Sequence, residues 1–444
     1  TPIYKSGEKR LLDNYRPVSL LCIASKVLEH IIYSNIAKHL NTSKFLSRYQ
    51  HGFRPGLSCV TQLVSFHHDI ALAWDEGVQT DCIFLDFRKA FDTVPHTLLL
   101  YKLRHLRLDP LVLLWLNNYL ANRTQSVVLN GVRSSPVAVT SGVPQGSVLG
   151  PLLFLIYIND ITRNIDSNIR LFADDCVLYR RINDESDVQA LQNDLNTVSH
   201  WCSTWLMGLN IGKCKVMHFN RPQCVSYHSY TINSFPLSVT NEYKYLGVIF
   251  HSTLHWESHV NYVVSKASRT LYSLRRNFRN APTKVRETVF KSYVLPILEY
   301  AAVVWDPDLR YLSNRLESVQ SLAARFVSGN HSFLTRSTEL KGNLGWEPLE
   351  LRRFHNRVKL MYEIHSGGTG LDASEFLQSP VYWSGRVDHP KKIEPYRYRS
   401  AIFKQSFFCN TIPKWNSLPP YIVDAPNSSV FFSRLKALHS GSPL

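Results

Sequence analysis

The sequence lacks the closely spaced cysteines on which small secreted domains and zinc-binding domains depend. Its 444 residues include eight cysteines, and none of them belongs to a C-x-x-C pair. Closely spaced cysteine pairs are the usual sign of zinc knuckles and disulfide scaffolds, so this spacing argues against both. Several of the cysteines lie in apolar runs, and we therefore expect reduced cysteines in the core of an intracellular protein.

Acidic residues are scarce as well. The chain has 34 Asp and Glu against 50 Lys and Arg, which gives a formal net charge of +16. This excess favours a polyanionic partner, because basic surfaces bind nucleic acid by releasing condensed counterions. A basic protein that is merely soluble is the alternative, since charge alone does not identify a partner.

Long apolar runs are also missing. The longest, residues 148–158, is interrupted by Gly150 and Pro151 and is too short to cross a bilayer, so we expect no membrane partner. The chain begins with Thr1 inside a patterned stretch, and we therefore expect it to be a fragment of a longer polypeptide.

The most informative stretch present is Phe172-Ala173-Asp174-Asp175. Apolar residues alternate on both sides of the acidic pair, which predicts two strands joined by a tight hairpin turn. Adjacent carboxylates repel each other and are costly to desolvate unless a cation lies against them, and oxygen ligands favour magnesium. Solvated turns are also rich in Asp, so an ordinary turn is the alternative for this motif alone.

A third acid follows a short apolar run. Residues 81–85 are predicted to form a buried strand that presents Asp86 at its carboxyl end, with a helix cap or a turn as the plainer interpretation. Phe91 follows five residues later and either faces the same site as Asp86 or belongs to the core. Two-metal phosphoryl transfer needs carboxylates that converge from different elements, because the metals lie ~3.5–4 Å apart.

Two glycine-bounded loops carry polar side chains. Arg54, in the loop of residues 50–56, could reach phosphate oxygens in fork geometry or could be a solvated surface arginine. In the loop of residues 141–147, Gln145 lies between Gly142 and Gly146, which allow a ligand to approach the backbone closely. An amide there could stack under or hydrogen-bond a nucleotide or template base, or be an ordinary loop glutamine.

Strands and helices alternate up to about residue 250, which indicates an α+β unit, and the pattern is helical beyond it. Between residues 261 and 290 there are seven Lys or Arg and one acid, with apolar residues at helical spacing. One apolar and one basic face suit a helix that docks on a core and follows a phosphate backbone. A solvated basic face is the equal alternative.

Seven stretches, in order, resemble the reverse transcriptase of non-LTR (LINE-type) retrotransposons of the Jockey/CR1-like group. The resemblance covers about residues 1–330, and seven ordered motifs are far more specific than any one. The stretches are residues 15–20, 50–54, 84–92, 141–151, 172–175, 210–213 and 245–247.

The resemblance implies an α+β right-hand polymerase, with fingers and an antiparallel-sheet palm in residues 1–250 and a helical thumb in 251–330. Residues 331–444 would form a mostly helical or irregular C-terminal region of unknown role. The implied activity is extension of a primer 3′-OH with dNTPs on an RNA template, in the nucleus or cytoplasm. The implied partners are template RNA, a DNA primer or target, and an endonuclease domain in the full-length polyprotein.

The resemblance also implies a role for each site residue. Asp86, Asp174 and Asp175 would bind two Mg²⁺ ions, for which Mn²⁺ could substitute. The expected nucleotide contacts are Arg54, Phe87, Phe91 as a steric gate against the ribose 2′-OH, Gln145, Gly146 and Lys213, with Lys215 competing with Lys213 for the leaving group. Tyr245, Leu246 and Gly247 would form the primer grip.

Two other functions compete with a reverse transcriptase. A catalytically idle retroelement remnant that only binds nucleic acid is motivated by the charge of +16 and by the missing endonuclease. An RNA-templated RNA polymerase of the same palm class is the third hypothesis. The bulk of Phe91 argues against it, because enzymes that use ribonucleotides keep that space open.

Overall fold

The computed structural model describes residues 1–5, 7–332, 334–382, 384 and 388–440 of the chain. These residues form an α+β structure with two compact units, each assembled from separate segments. Unit 1 comprises Thr1–Arg54, Asp81–Val216 and Tyr227–Thr240, and unit 2 comprises Pro55–Thr80, Met217–Ser226 and Asn241–Leu444. Within the described residues, no helix combines the length and the apolar character that a membrane span requires.

The helices, with their bounds, are α1 (Ile23–Thr42), α2 (Cys59–Glu76), α3 (Ala90–Thr93), α4 (His96–Arg104), α5 (Pro110–Leu120), α6 (Leu149–Ile158), α7 (Glu185–Thr204), α8 (Glu257–Asn277), α9 (Thr283–Tyr293), α10 (Leu295–Glu299), α11 (Ala302–Trp305), α12 (Arg310–Ser328), α13 (Ser337–Asn343), α14 (Leu349–His365), α15 (Ala401–Gln405), α16 (Phe407–Asn416), α17 (Pro420–Val423) and α18 (Ser428–Ser440).

The strands are β1 (Pro2–Tyr4), β2 (Tyr15–Pro17), β3 (Gln79–Leu85), β4 (Thr124–Gln125), β5 (Val128–Leu129), β6 (Val132–Arg133), β7 (Val137–Ala138), β8 (Asn168–Phe172), β9 (Asp175–Ile182), β10 (Lys215–Phe219), β11 (Thr231–Ile232), β12 (Phe235–Pro236), β13 (Ser238–Val239), β14 (Glu242–Tyr245) and β15 (Val248–His251).

A five-stranded sheet in the order β13-β10-β3-β9-β8 positions the candidate site. Its central strand, β3, is buried along its whole length, as the apolar residues 82–85 predict for its second half. The strand begins two residues before the predicted range, and its first three residues, Gln79, Thr80 and Asp81, are polar and also buried. Strands β8 and β9 pair antiparallel, but β13 pairs parallel to β10, with Lys215 opposite Ser238. The expectation of an antiparallel sheet is therefore wrong at this edge, because the chain reverses direction in the β11–β12 hairpin before it reaches β13.

The core of unit 1 includes helix α6, which is apolar on every side and buried almost completely. The helix begins at Leu149, so Pro151 lies in its first turn. Proline is tolerated in the first turn because its missing N–H group would have no partner there. Helix α4 has Pro95 as its N-cap residue and ends at Arg104.

Unit 2 contains a capped helix, a hairpin and the basic amphipathic helix. Ser58 caps α2 in a capping box, and residues 243–250 form the β14–β15 hairpin. Helix α8 buries an apolar stripe and exposes Lys266, Arg269 and Arg276, as an amphipathic basic helix should. Unit 2 contains both α2 and the chain beyond Asn241, so the two compact units have other boundaries than the ranges 1–250, 251–330 and 331–444. The assignment of those ranges to fingers and palm, thumb and C-terminal region stays a prediction.

All eight cysteines are free thiols, as the sequence predicts. Five of them are buried, but Cys22 and Cys224 are exposed and Cys59 is partly so, so a core position was the wrong interpretation for these.

Candidate active site

The acidic pair lies at the tip of the β8–β9 hairpin, as predicted. Phe172 pairs with Asp175, so the connection consists only of Ala173 and Asp174, while Asp175 opens strand β9. Ala173 has a φ of 55°, the left-handed region that costs a residue with a side chain about 1–2 kcal/mol. A turn this tight presents both carboxylates at one end of the sheet.

Asp86 follows β3, the strand next to β9. Its backbone is fixed on both sides by the turn that precedes β10. The Asp86 carbonyl accepts from the Asn210 N–H at 2.7 Å, and its own N–H donates to the Cys214 Sγ at 3.5 Å. Phe87, which is buried, forms an antiparallel bridge with Leu209. If Phe87 contacts a nucleotide as predicted, it would therefore do so through its backbone or through the edge of its buried ring.

The three acids interact electrostatically. Desolvation by the surrounding protein, followed by repulsion from Asp174 and Asp86, raises the pKa of Asp175 to about 6, although the residue as a whole is exposed. Desolvation also raises the pKa of Asp174, with Asp86 adding to that shift and Arg16 opposing it. The structure thus brings together the three acids that the sequence placed at the end of one strand and at a hairpin, and the acids beside each hairpin carboxylate disfavour its charged form.

The donor set fits a hard divalent cation. It consists of carboxylate oxygens alone, the ligands that Mg²⁺ and Mn²⁺ prefer, and the carboxylates come from two adjacent strands of one sheet. Carboxylates that repel one another when no cation is bound gain stability when a cation neutralises them. Carboxylates that converge from different elements are what metal-dependent phosphoryl transfer requires.

Phe91 lies in the single turn of α3, close in sequence to Asp86. Its ring stacks on Phe154, with centroids 4.2 Å apart and planes 18° apart, and Phe53 packs edge-on at 6.3 Å. The Phe91 carbonyl also accepts from the Val143 N–H at 2.7 Å. The ring is half-buried, so it is fixed by the core and still presents a rigid surface.

The loop that carries Gln145 is held by two neighbouring segments. The side-chain amide of Gln145 donates to the Asp92 carboxylate at 2.8 Å. The backbone carbonyl of Gln145 accepts from the Ser19 N–H at 2.7 Å. Gly146 has a φ of +103°, and a Cβ atom there would lie 2.6 Å from the Ser19 carbonyl oxygen. Glycine is needed here because the chain itself approaches closely, whatever a ligand requires.

Glu29 is a supporting residue that sequence reasoning missed. Its side chain is buried in α1 and accepts from the Val148 and Leu149 N–H groups at 2.8 and 3.1 Å. A carboxylate at a helix N-terminus satisfies N–H groups that have no partner within the helix. No local signal could have shown this role, because Glu29 and Val148 are 119 residues apart.

Arg54 braces its own loop in this structure. Its Nη1 donates to the carbonyls of Ser47 at 2.7 Å and Gln50 at 3.2 Å, and burial lowers the pKa of the guanidinium. The predicted contact with a triphosphate stays a prediction. Arg16 and Lys5, which we did not single out, act electrostatically on Asp174 and are therefore closer to the acids than the sequence suggested.

Lys213 and Lys215 differ in their surroundings. The Lys215 ammonium group donates to the Gly212 carbonyl at 3.2 Å and to the Ser238 hydroxyl at 2.6 Å. Lys213 is exposed, and its backbone N–H closes the turn by donating to the Asn210 carbonyl at 2.9 Å. This turn also holds Asp86. Which of the two lysines serves the leaving group stays a prediction.

The predicted primer grip lies in unit 2, at the tip of the β14–β15 hairpin. Leu246 and Gly247 form its two-residue turn, and the Tyr300 hydroxyl donates to the Leu246 carbonyl at 2.9 Å. Tyr245 is buried, and its ring packs against Phe66. Its hydroxyl accepts a hydrogen bond from the Gln62 side-chain amide. Any contact with a primer would therefore come from the turn, while Tyr245 anchors it.

Comparison with known proteins agrees with this site. A family model described as "Reverse transcriptase (RNA-dependent DNA polymerase)" matches residues 3–250, which include all three acids. The chain belongs to the reverse transcriptase family. Members of this family generally use divalent metal ions, in keeping with the oxygen-only donor set.

Two relatives come from fruit-fly mobile elements. The chain is 30% identical over 372 residues to the probable RNA-directed DNA polymerase from transposon X-element of Drosophila melanogaster, covering 80% of this chain and 41% of that protein. It is 32% identical over 353 residues to the RNA-directed DNA polymerase from mobile element jockey of Drosophila funebris, covering 74% and 37%. The chain thus spans about two fifths of the length of these relatives.

Among solved structures, apo telomerase from Candida tropicalis aligns with a TM-score of 0.42 and 10% sequence identity, covering 68% of this chain and 50% of that one. A likeness of this strength supports no argument about the site.

The raised pKa of Asp175 predicts how metal-free stability depends on pH. Asp175 keeps its proton up to about pH 6 in the folded chain but loses it near its ordinary value of 3.8 when unfolded. Between these values the folded state binds more protons, so stability falls as the pH rises from 4 to 6 and stays lower above that. Asp175→Asn should remove this contribution and raise the melting temperature at pH 7.5 without metal.

The measurement is a thermal melt across pH 4–8 with a chelator present. Asp166→Asn, which neutralises an exposed acid of the same unit, serves as the control for net charge. An Asp175→Asn curve parallel to that of the wild type would contradict the raised pKa of Asp175.

Proposed function

We propose that the chain is an RNA-directed DNA polymerase of a non-LTR retrotransposon, which extends a primer 3′-OH with dNTPs on an RNA template. The observation that carries the proposal is the convergence of Asp86, Asp174 and Asp175 at one end of the sheet, within the span that matches the reverse transcriptase family. The names of the two fruit-fly relatives support the same activity.

The metal site would be formed by the three acids. Two Mg²⁺ ions, or Mn²⁺ in their place, would supply the charge stabilisation that in-line attack on the α-phosphate and departure of pyrophosphate require. Asp86 and Asp174 would hold both ions, and Asp175, at the start of β9, would support them. The raised pKa of Asp175 predicts that metal binding releases protons at pH values below about 6.

Other residues would select and orient the nucleotide. Phe91, held against Phe154, would fill the space that a ribose 2′-OH needs and so exclude ribonucleotides. Gln145 and Gly146 would contact the incoming nucleotide and template, with Gln145 oriented by Asp92. Arg54 would contact the triphosphate after giving up one of its carbonyl partners.

Lys213 would supply positive charge to the leaving pyrophosphate. On the nucleic-acid side, the turn of Leu246 and Gly247 would contact the primer, and the basic face of α8 would follow the phosphate backbone. The net charge of +16 supports binding of template RNA and a DNA primer or target.

We further propose that an endonuclease belongs to the same full-length polyprotein and that the protein acts in the nucleus or cytoplasm. The proposal of a longer polyprotein is supported by relatives more than twice as long as their matched region.

Primer extension tests the activity. With Mg²⁺, dNTPs and a primed RNA template, the wild type should extend the primer, and Asp174→Ala should reduce the rate by at least about 100-fold because a metal ligand is lost. Chelation of Mg²⁺ should have the same effect, and Asp166→Ala should match the wild type.

Two results would contradict the polymerase. Extension that survives Asp174→Ala would move catalysis elsewhere. Folded wild type that binds RNA in a salt-sensitive manner but extends nothing would favour a remnant that only binds nucleic acid.

The steric gate is tested by Phe91→Val. The smaller side chain opens space beside the ribose, so the preference for dNTPs over rNTPs, as the ratio of kcat/KM values, should fall by about 10- to 100-fold. The ratio serves as its own control, because lost packing against Phe154 lowers both rates alike. An unchanged ratio would remove Phe91 from nucleotide selection.

The two lysines are separated by Lys213→Ala and Lys215→Ala. Lys213→Ala should lower kcat by about 100-fold with little change in KM for dNTPs, because its charge would act on the leaving group in the transition state. Lys215→Ala removes the contacts to Gly212 and Ser238 and should lower the melting temperature while leaving kcat near that of the wild type. The reverse pattern would assign the role to Lys215.

A further inference from the structure

One side chain from a remote segment holds the tip of the acidic hairpin. Gln50 is buried, and its Oε1 accepts from the Ala173 N–H at 2.8 Å and from the Gly52 N–H at 2.7 Å. Its Nε2 donates to the Ala173 carbonyl at 3.3 Å. A single amide therefore satisfies both backbone groups of the residue that precedes Asp174.

The backbone around Gln50 fixes this contact in register. The Leu171 N–H donates to the Tyr49 carbonyl, and the His51 N–H donates to the Leu171 carbonyl, both at 2.9 Å. Gln50 and Leu171 form a parallel bridge, so residues 49–51 run beside the outer edge of β8. These main-chain hydrogen bonds thus position the side-chain amide of Gln50 at the hairpin tip.

Gly52 completes the contact. A Cβ atom at this position would lie 2.4 Å from the Ala173 nitrogen and 3.0 Å from the Phe172 carbonyl carbon, so no side chain fits unless the tip moves. Its φ is outside the left-handed region, so alanine would be tolerated by the Gly52 backbone itself. Close approach to the hairpin is therefore the reason for glycine here.

Gln50 and Gly52 contact the hairpin tip, which is the strained part of the site. Ala173 adopts a left-handed conformation that a residue with a side chain disfavours, and that conformation sets the direction in which the chain enters Asp174. The acids also repel one another when no cation is bound. A neutral amide can hold the backbone against both effects without adding a charge that would compete with a metal ion.

We infer that Gln50 and Gly52 are positioning residues of the metal site, which hold the β8–β9 tip so that the Asp174 and Asp175 carboxylates are aimed before a cation binds. The inference rests on the proposed function only in that these acids bind the metal. Both residues contact the backbone of Ala173, so each would act on the acids through that residue.

Binding of Mn²⁺ to the metal-free chain tests this without requiring activity. Free Mn²⁺ is followed by electron paramagnetic resonance during a titration, and the part of the binding that Asp174→Asn abolishes defines the site. Gln50→Met, which keeps the length but loses all three hydrogen bonds, should weaken that part by about 10- to 100-fold, as loss of a group that orients metal ligands does. Gly52→Ala should do the same through the close contact.

Matched controls separate positioning from general stability. Gln79 is also buried and holds Ser226 in the same way, accepting from its N–H at 2.9 Å and donating to its carbonyl at 2.7 Å. Gln79→Met therefore loses a comparable contact within unit 2 and should leave Mn²⁺ affinity unchanged. Gly342→Ala, in α13 with no atom within 4 Å of the added Cβ, is the control for Gly52→Ala.

Each outcome decides the inference. Weaker Mn²⁺ binding in Gln50→Met and Gly52→Ala, with Gln79→Met at the wild-type value, supports it. If Gln50→Met does not fold, Gly52→Ala decides alone. Wild-type affinity in Gly52→Ala, or binding that does not depend on Asp174, overturns it.

Primer extension then separates this inference from the proposed function. If wild type extends, both variants should lower kcat and raise the Mg²⁺ concentration at half-maximal rate, with KM for dNTPs nearly unchanged. If wild type extends nothing but Mn²⁺ binding responds as expected, the polymerase proposal fails while the positioning role stands.

Discussion

Repulsion among three carboxylates is the constraint on which the rest of unit 1 depends. Asp86 follows the central strand of the sheet, and Asp174 and Asp175 lie at the tip next to it. Partial burial strengthens the repulsion and raises the pKa of both hairpin acids. An arrangement that is unfavourable by itself persists because buried β3, the all-apolar helix α6 and their neighbours stabilise the backbone that carries it.

The groups that hold these acids are mostly neutral. The Asn210 N–H and the Cys214 thiol fix Asp86, and the amide of Gln50 fixes Ala173. A cationic side chain paired directly with the acids would have relieved the repulsion permanently, leaving less for a divalent ion to gain. Neutral groups hold the backbone of the acids without neutralising their charge, so a divalent ion can still gain from binding. A site that is preorganised for charge stabilisation needs both properties.

The same residues also show why helices and strands were easier to predict than supporting contacts. Spacing within a short window is enough to indicate the strand that precedes Asp86, the hairpin at Asp174 and the amphipathic α8. Pattern therefore predicted them, with errors of a residue or two at the boundaries. The parallel pairing of β13 was missed because it depends on where a later hairpin returns the chain.

The α+β class and the placement of the three acids at a strand end and a hairpin could be read from the sequence, because periodicity and local turn chemistry are recorded in neighbouring residues. The ordered motifs determined the family in the same way. The contacts that support the site could be seen only in the folded chain: Glu29 holds the loop before α6, and Gln50 and Gly52 hold the hairpin tip. These contacts join residues far apart along the chain, and a spacing rule cannot register a partner that folding brings close.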